Sequence, residues 1–343
     1  GRATRLACWD PFSIAAKGCV DNPIDTAEML RRSVRQCTHA WAAPMNDILH
    51  ELSGGLDSSI VATCLKDAPT QPRVICVNLR TQDAASDERA QARLAARRAG
   101  FQLIERDRSP AVDLRRLLNA QPMVNPRNVV MQSLEVQPLL RDLARETGVR
   151  ILFSGRGGDS LFFRAHADLL LCDLMWDRGL RTDVLGFSVE AARRSGIAAW
   201  RLLSRAAKYG FLRRRYNVMA AYTGHRNLVT DEVSRSVACS DALTKRWGGV
   251  MPEVPPAKAM HVLGMTWPFM FRDPLARPGD PELVNPLTSQ PIIELCLRMP
   301  TYVLATGLQD RALARAAFAA DLPPAVAYRS WKGSVDGHHR EIL

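Results

Sequence analysis

Two short loops in this sequence carry the residue types that bind phosphate groups and a divalent cation. The first loop, residues 53–59, reads SGGLDSS and lies between a predicted strand and a predicted helix. Glycines let a backbone pass close to a ligand, and the N–H groups that open a helix bind phosphate. A carboxylate beside phosphates is typical of a magnesium ligand, which is the role predicted for Asp57. The predicted phosphate-binding residues are Ser53, Gly54, Gly55, Ser58 and Ser59, and Asp57 joins the same predicted nucleotide site through the metal ion.

The second loop, residues 153–160, reads FSGRGGDS and also follows an apolar run. Either loop alone could be a tight turn without a ligand, and the first has no Gly-Lys-Ser/Thr of the Walker type. Loops at the carboxyl ends of parallel strands face one crevice, however, and ligands bind there in open α/β sheets. The pair therefore predicts one di- or triphosphate site in which Asp57 and Asp159 share a magnesium ion.

Apolar strands alternate with amphipathic helices through the first half of the chain. This alternation predicts an α/β protein with a parallel sheet covered by helices on both faces, followed by a helical extension. The strands are predicted over residues 47–52, 74–79, 101–105 and 149–153, and the helices over 24–41, 57–66, 86–100 and 132–147. Beyond residue 160 the pattern predicts mainly helices.

Composition narrows the class of protein further. Hydrophobic residues make up 47% and charged residues 24% of the 343, which excludes a disordered or collagen-like chain. The apolar run Leu169–Trp176 is far shorter than the ~20 residues of a membrane span. The eight cysteines form no CxxC pair and predict reduced thiols of a cytoplasmic protein, not a zinc site. A net charge of +11 favours anionic partners.

Both loops resemble those of a known family. SGGLDSS resembles the pyrophosphate-binding (PP) loop of the adenine-nucleotide α-hydrolase-like superfamily, and its pairing with SGxGGD resembles the synthetase domain of the asparagine synthetase family. Residues 285–301 (NPLTSQPIIELCLRMPT) are similar to a segment of the lasso-peptide macrocyclases in that family. The resemblance covers about residues 9–339. It implies a HUP-like synthetase domain, cleavage of ATP between the α and β phosphates, and attack of an amine on an acyl-adenylate.

The resemblance also implies roles for single residues. Leu52 and Val77 would line the adenine pocket, although both also suit a plain sheet core. Ser154 and Gly155 would approach the ribose or the α-phosphate. Lys332 would neutralise the pyrophosphate, which completes a predicted catalytic set with Asp57 and Asp159.

One departure from the family bears on the substrate. Asparagine synthetases have a glutamate where this chain has Arg156, and a permanently charged guanidinium cannot act as a base. This favours a macrocyclase that joins an Asp or Glu side chain of a precursor peptide to the N-terminus of that peptide. A leader peptidase and a leader-recognition protein are then expected as partners, whereas a membrane and a nucleic acid are not.

Three alternatives remain open at this stage. The first is asparagine synthase (glutamine-hydrolysing)-like amidation of aspartate or another small acid. The second is a nucleic-acid-binding protein like the tRNA-thiolating relatives, which use catalytic cysteines; neither loop has a cysteine nearby in the sequence. The third is a nucleotide-binding protein without activity.

Three segments are predicted along the chain. Residues 1–45 form a lead-in and a helix, interpreted as the remnant of a linker from a missing glutaminase-like domain. Residues 46–165 form the ATP-pyrophosphatase core, and residues 166–343 form a mainly helical part that completes the synthetase domain and the substrate cleft.

Overall fold

The computed structural model describes residues 8–18, 23–80, 87–108, 131–164, 167–214, 254–265 and 280–329, together with a few isolated positions. The chain divides into two compact units. One, the helical unit, comprises residues 1–27, 160–266 and 293–313; the other, the sheet unit, comprises residues 28–159, 267–292 and 314–343. The predicted boundaries near residues 45 and 165 stay a prediction.

A five-stranded sheet forms the centre of the sheet unit, with the strand order β3-β2-β1-β4-β5. Every neighbouring pair is parallel. The strands are β1 Asp47–Glu51, β2 Arg73–Arg80, β3 Gln102–Asp107, β4 Ile151–Ser154 and β5 Glu282–Val284. Because the order turns back between β1 and β4, the carboxyl ends of these two strands flank the position at which open α/β sheets bind ligands.

The helices fill the intervals between the strands as the periodicity predicts. In chain order they are α1 Pro11–Ala16, α2 Pro23–Ala42, α3 Leu56–Lys66, α4 Arg89–Ala99, α5 Met131–Thr147, α6 Gly158–Leu161, α7 Ala167–Arg178, α8 Thr182–Ser195, α9 Ala199–Ala206, α10 Pro256–Met265, α11 Gln290–Arg298, α12 Thr301–Leu304, α13 Ala312–Phe318 and α14 Pro324–Ala327. Helix α5 packs Val136, Leu140 and Leu143 against Leu49 and Leu152 of the sheet. The predicted α/β class with its parallel sheet is confirmed.

Strand β5 was not predicted, since only helices were expected in the last third of the chain. It has three residues, of which Leu283 pairs with Leu152 of β4. Pro281 and Pro286 bound it on both sides. Three residues are too few to show an alternating or apolar strand pattern, and only the tertiary pairing with β4 makes this segment a strand.

Helix α10 of the helical unit is capped by a carboxylate from another helix. Asp173, in α7, accepts hydrogen bonds from the backbone N–H groups of Ala257 (2.8 Å) and Lys258 (2.9 Å) and from the Thr301 hydroxyl (2.6 Å). The side chain is fully buried. Burial is the largest influence on this carboxyl group and raises its pKa to about 7, against the opposing effect of the hydrogen bonds.

This raised pKa predicts a pH dependence of stability. Because Asp173 binds its proton more tightly in the folded than in the unfolded chain, the free energy of unfolding should fall as the pH rises from about 4 to about 7. Asp173→Asn should remove that slope, as measured by urea denaturation at several pH values. Asp183→Asn is the matched control, because Arg178 lowers the pKa of exposed Asp183 and its contribution is constant between pH 5 and 7. An unchanged slope in Asp173→Asn would contradict the prediction.

Two further findings concern the described residues alone. None of their helices combines the length and the apolar character that crossing a membrane requires. Six of their cysteines form no disulfide bond: Cys8, Cys37, Cys64, Cys76, Cys172 and Cys296.

Candidate functional site

The first loop turns sharply between β1 and α3 and rests on the start of α4. Gly54 has φ = +89°, in the region that favours glycine. A Cβ atom there would lie 2.5 Å from the Glu88 carbonyl oxygen and 2.8 Å from the Ala92 nitrogen. The loop therefore passes so close to α4 that no side chain fits at this position.

The hydroxyl groups of the first loop bond to the loop itself. The Gly55 N–H donates to Ser53 Oγ (3.1 Å), which lies 3.0 Å from Ser58 Oγ. Ser59 Oγ donates to the Gly55 carbonyl oxygen at 2.8 Å. These hydrogen bonds fix the conformation of the turn that leads into α3. Phosphate binding by these hydroxyls remains a prediction.

The second loop lies directly on the first. A Cβ atom on Gly155 would lie 2.4 Å from the Ser58 nitrogen. A Cβ atom on Gly158 would lie 2.3 Å from Cγ of Asp57. The structure thus brings together Asp57 and the residue that precedes Asp159, as expected for loops that follow the neighbouring strands β1 and β4.

The donor set at this contact fits magnesium. Two carboxylates on touching loops offer hard oxygen ligands, and Mg²⁺ in proteins is commonly held by one or two carboxylates together with substrate phosphates. The part of the chain that the structure describes holds no cluster of three or more His, Cys, Asp or Glu side chains suited to a metal. Asp57 and Asp159 are the residues of this chain that would hold the ion, together with phosphate oxygens of a substrate.

The two residues predicted to line an adenine pocket are both fully buried. Val77 belongs to the apolar core beneath α5, and its carbonyl oxygen accepts a hydrogen bond from the Leu52 N–H at 2.8 Å. Buried Asn78 follows in β2, and its side-chain amide donates to the carbonyl oxygens of Leu52 (2.9 Å) and Ser53 (3.3 Å). Asn78 thus fixes the start of the first loop, a role that was not predicted from the sequence.

Ser154 ties the second loop to β5. Its hydroxyl donates to Oδ1 of Asn285 at 2.6 Å and accepts from the Arg156 N–H at 3.1 Å. Asn285 opens the segment that resembles the macrocyclases. The start of that segment therefore lies at the second loop. Contact of Ser154 and Gly155 with a ribose or an α-phosphate stays a prediction.

Lys332 lies outside the described residues, but Arg329, three positions before it, lies within them. The Arg329 guanidinium donates to Glu88 Oε1 at 2.6 Å, and the two side chains are only 7% and 11% exposed. Glu88 is the residue whose carbonyl oxygen contacts Gly54. This Glu88–Arg329 ion pair brings the segment before Lys332 to Glu88, which packs against the first loop.

We expect Glu88→Gln to lower the free energy of unfolding by about 3 kcal/mol, because it leaves the Arg329 charge buried beside an uncharged amide. The matched control is Glu105→Gln, which breaks the exposed ion pair with Arg93 and should cost at most about 1 kcal/mol. Equal losses of unfolding free energy for the two variants, measured by urea denaturation, would contradict the buried character of the Glu88–Arg329 ion pair.

The fold and the two loops define the class of protein. A parallel sheet with a glycine-rich, carboxylate-bearing loop after each of its two central neighbouring strands is an adenine-nucleotide-binding α/β fold of the PP-loop type. The asparagine synthase family model matches residues 25–341, and the chain belongs to that family. It is thus an enzyme of the ATP-using PP-loop type, and its family supports an ATP-dependent reaction of the amidation or ligase kind.

Among solved structures, the chain is similar to the U34-tRNA thiolase NcsA from Methanococcus maripaludis with its [4Fe-4S] cluster. The sequence identity is 16%, the match covers 70% of this chain and 78% of that chain, and the TM-score is 0.29. A likeness of this size carries no argument about substrate or activity. No curated protein sequence matches the chain.

Proposed function

We propose that this chain is an ATP-dependent amide-bond-forming ligase that activates a carboxylate as an acyl-adenylate. The observation that carries the proposal is the direct contact between the two loops, at which Gly158 lies against the Asp57 carboxylate. Asp57 and Asp159 would hold Mg²⁺ on the triphosphate of ATP, where the ion supplies charge screening. The N–H groups at the start of α3 belong to the same loop and would bind phosphate oxygens.

The proposed reaction has two steps. In the first, a carboxylate oxygen of the substrate attacks the α-phosphorus of ATP, the bond to the β-phosphate breaks, and pyrophosphate leaves with the electron pair. In the second, an amine attacks the acyl carbon, the bond to AMP breaks, and the amine loses a proton. The backbone N–H groups of the first loop and Lys332 would stabilise the leaving pyrophosphate. The acid and the amine together lose one water.

For the substrate we propose a precursor peptide whose Asp or Glu side chain is closed onto its own N-terminus. Two features support this choice. The macrocyclase-like segment begins at Asn285, which bonds to Ser154 of the second loop. Arg156 of the same loop is permanently charged and cannot accept the proton of an attacking ammonia. An enzyme that holds both ends of one peptide gains its acceleration from orientation.

The test is mass spectrometry of a candidate precursor peptide after incubation with this protein, a leader peptidase, a leader-recognition protein, ATP and Mg²⁺. Aspartate with ammonia is run in parallel. Loss of one water from the cleaved peptide, with AMP formed in equal amount, is the expected result. Asparagine formation without a change in the peptide would replace the proposed substrate with a small acid. Formation of neither product would contradict the proposal. We assign the reaction to the cytoplasm, where free thiols stay reduced.

A further inference from the structure

A histidine lies between the two loops where an apolar residue would be expected. His50 is the fourth residue of the central strand β1 and is fully buried. Strands covered on both faces of a parallel sheet are normally continuous apolar runs. Burying a polar ring in such a strand is unfavourable unless hydrogen bonds satisfy it. The partners of this ring therefore indicate what it does.

The two ring nitrogens of His50 each face the backbone of a different loop region. Nε2 lies 2.9 Å from the carbonyl oxygen of Ser58, the residue after Asp57 in the first turn of α3. Nδ1 lies 3.2 Å from the carbonyl oxygen of Phe153, the last residue before Ser154. The imidazole thus bridges the first loop and the base of the second loop from beneath.

The ring cannot satisfy both carbonyl oxygens equally. Burial lowers the pKa of His50 to about 4, so that at neutral pH the ring carries one N–H group. One nitrogen then donates a hydrogen bond, and the other turns its lone pair toward an oxygen. The shorter contact, from Nε2 to the Ser58 carbonyl oxygen, is the better hydrogen bond. This bond holds the start of α3, which carries Asp57.

We propose that His50 is a positioning residue of the nucleotide site, which sets the first loop against the base of the second at the separation that magnesium and a triphosphate require. This inference rests on the proposed use of ATP at the two loops. His50 touches neither substrate nor metal in this account; it acts through the backbone of Ser58 and Phe153.

Three variants separate the two contacts. His50→Gln places an amide donor near the Nε2 position, His50→Asn places one near the Nδ1 position, and His50→Leu removes both. The probe is α,β-methylene-ATP, which cannot be cleaved at the proposed bond. Its affinity is measured by calorimetry with Mg²⁺ and with EDTA, and AMP serves as a ligand without the outer phosphates.

We expect His50→Leu to weaken binding of α,β-methylene-ATP with Mg²⁺ by about tenfold, as loss of a buried hydrogen bond implies, and to leave AMP binding unchanged. Glutamine should restore most of the affinity, and asparagine less. A merely structural role would weaken both ligands alike and would show no preference between the two amides. The control is Thr38→Val, which removes a buried hydrogen bond of α2 to the Val34 carbonyl oxygen and should leave both affinities unchanged.

The outcomes separate this inference from the proposed function. Failure of the wild-type protein to bind α,β-methylene-ATP would overturn the proposed function and this inference with it. Tight binding by the wild type and equally tight binding by His50→Leu would overturn this inference alone. If His50→Leu does not fold, the comparison of the glutamine and asparagine variants decides, and equal affinities would overturn the inference.

Discussion

Asp57→Asn and Asp159→Asn are each expected to reduce AMP formation from ATP by about 10²- to 10³-fold, an effect as large as the loss of one oxyanion-hole hydrogen-bond donor. Each substitution keeps the shape of the side chain and removes one of the two carboxylates proposed to hold the metal ion. Asn is a much weaker partner for Mg²⁺ than a carboxylate. The amount of AMP formed is measured at several Mg²⁺ concentrations. A higher Mg²⁺ concentration should partly restore AMP formation by the variants.

The control for these variants is Asp67→Asn. Asp67 lies at the other end of α3, where it forms an ion pair with Arg35 at 2.9 Å. Its replacement should leave AMP formation unchanged. Undiminished AMP formation by Asp57→Asn and Asp159→Asn would contradict the assignment of both carboxylates to the metal.

Gly158→Ala has the second large expected effect. The added methyl group would lie 2.3 Å from Cγ of Asp57, closer than any real Cβ contact, so the loops must move apart. A shift of this kind in a catalytic group costs about 10² in rate, and overpacking at a tight contact costs about 1–3 kcal/mol of stability. We expect both losses, measured as AMP formation and as the free energy of unfolding.

Gly186→Ala is the matched control in helix α8. A Cβ atom at Gly186 meets nothing within 4 Å, and alanine favours a helix over glycine by about 1 kcal/mol. This variant should be as stable as the wild type or more so, and equally active. Wild-type activity of Gly158→Ala would show that the two loops need not touch for function.

The local parts of this fold could be predicted from the sequence because each has a local signal. The strands that end at Glu51 and Ser154 are apolar-rich segments, and glycines follow each of them closely in the sequence. The motif SGGLDSS carries its glycines, hydroxyls and carboxylate within seven residues. Parallel strands place such loops at one edge of the sheet, and the prediction that the two loops share a crevice follows from that rule.

The support of the site could not be predicted in the same way. His50, Asn78 and Glu88 are single polar residues outside the motifs, and Asn285 opens the macrocyclase-like segment without a role predicted for it. The partners of all four lie elsewhere in the chain. A polar residue inside an apolar strand, such as His50 within DILHEL or Asn78 within VICVNL, was the one available signal. The sequence indicated no partner for Glu88 or Asn285, since their contacts with Arg329 and Ser154 arise only from tertiary packing.

The central claim is that the two loops form one site at which ATP is cleaved between its α and β phosphates. The most direct measurement is the identity of the product formed from ATP labelled in the α-phosphate, in the presence of the peptide substrate and Mg²⁺. The account predicts labelled AMP from the wild-type protein and almost none from Asp57→Asn. Labelled ADP, or AMP formed equally by Asp57→Asn, would contradict it.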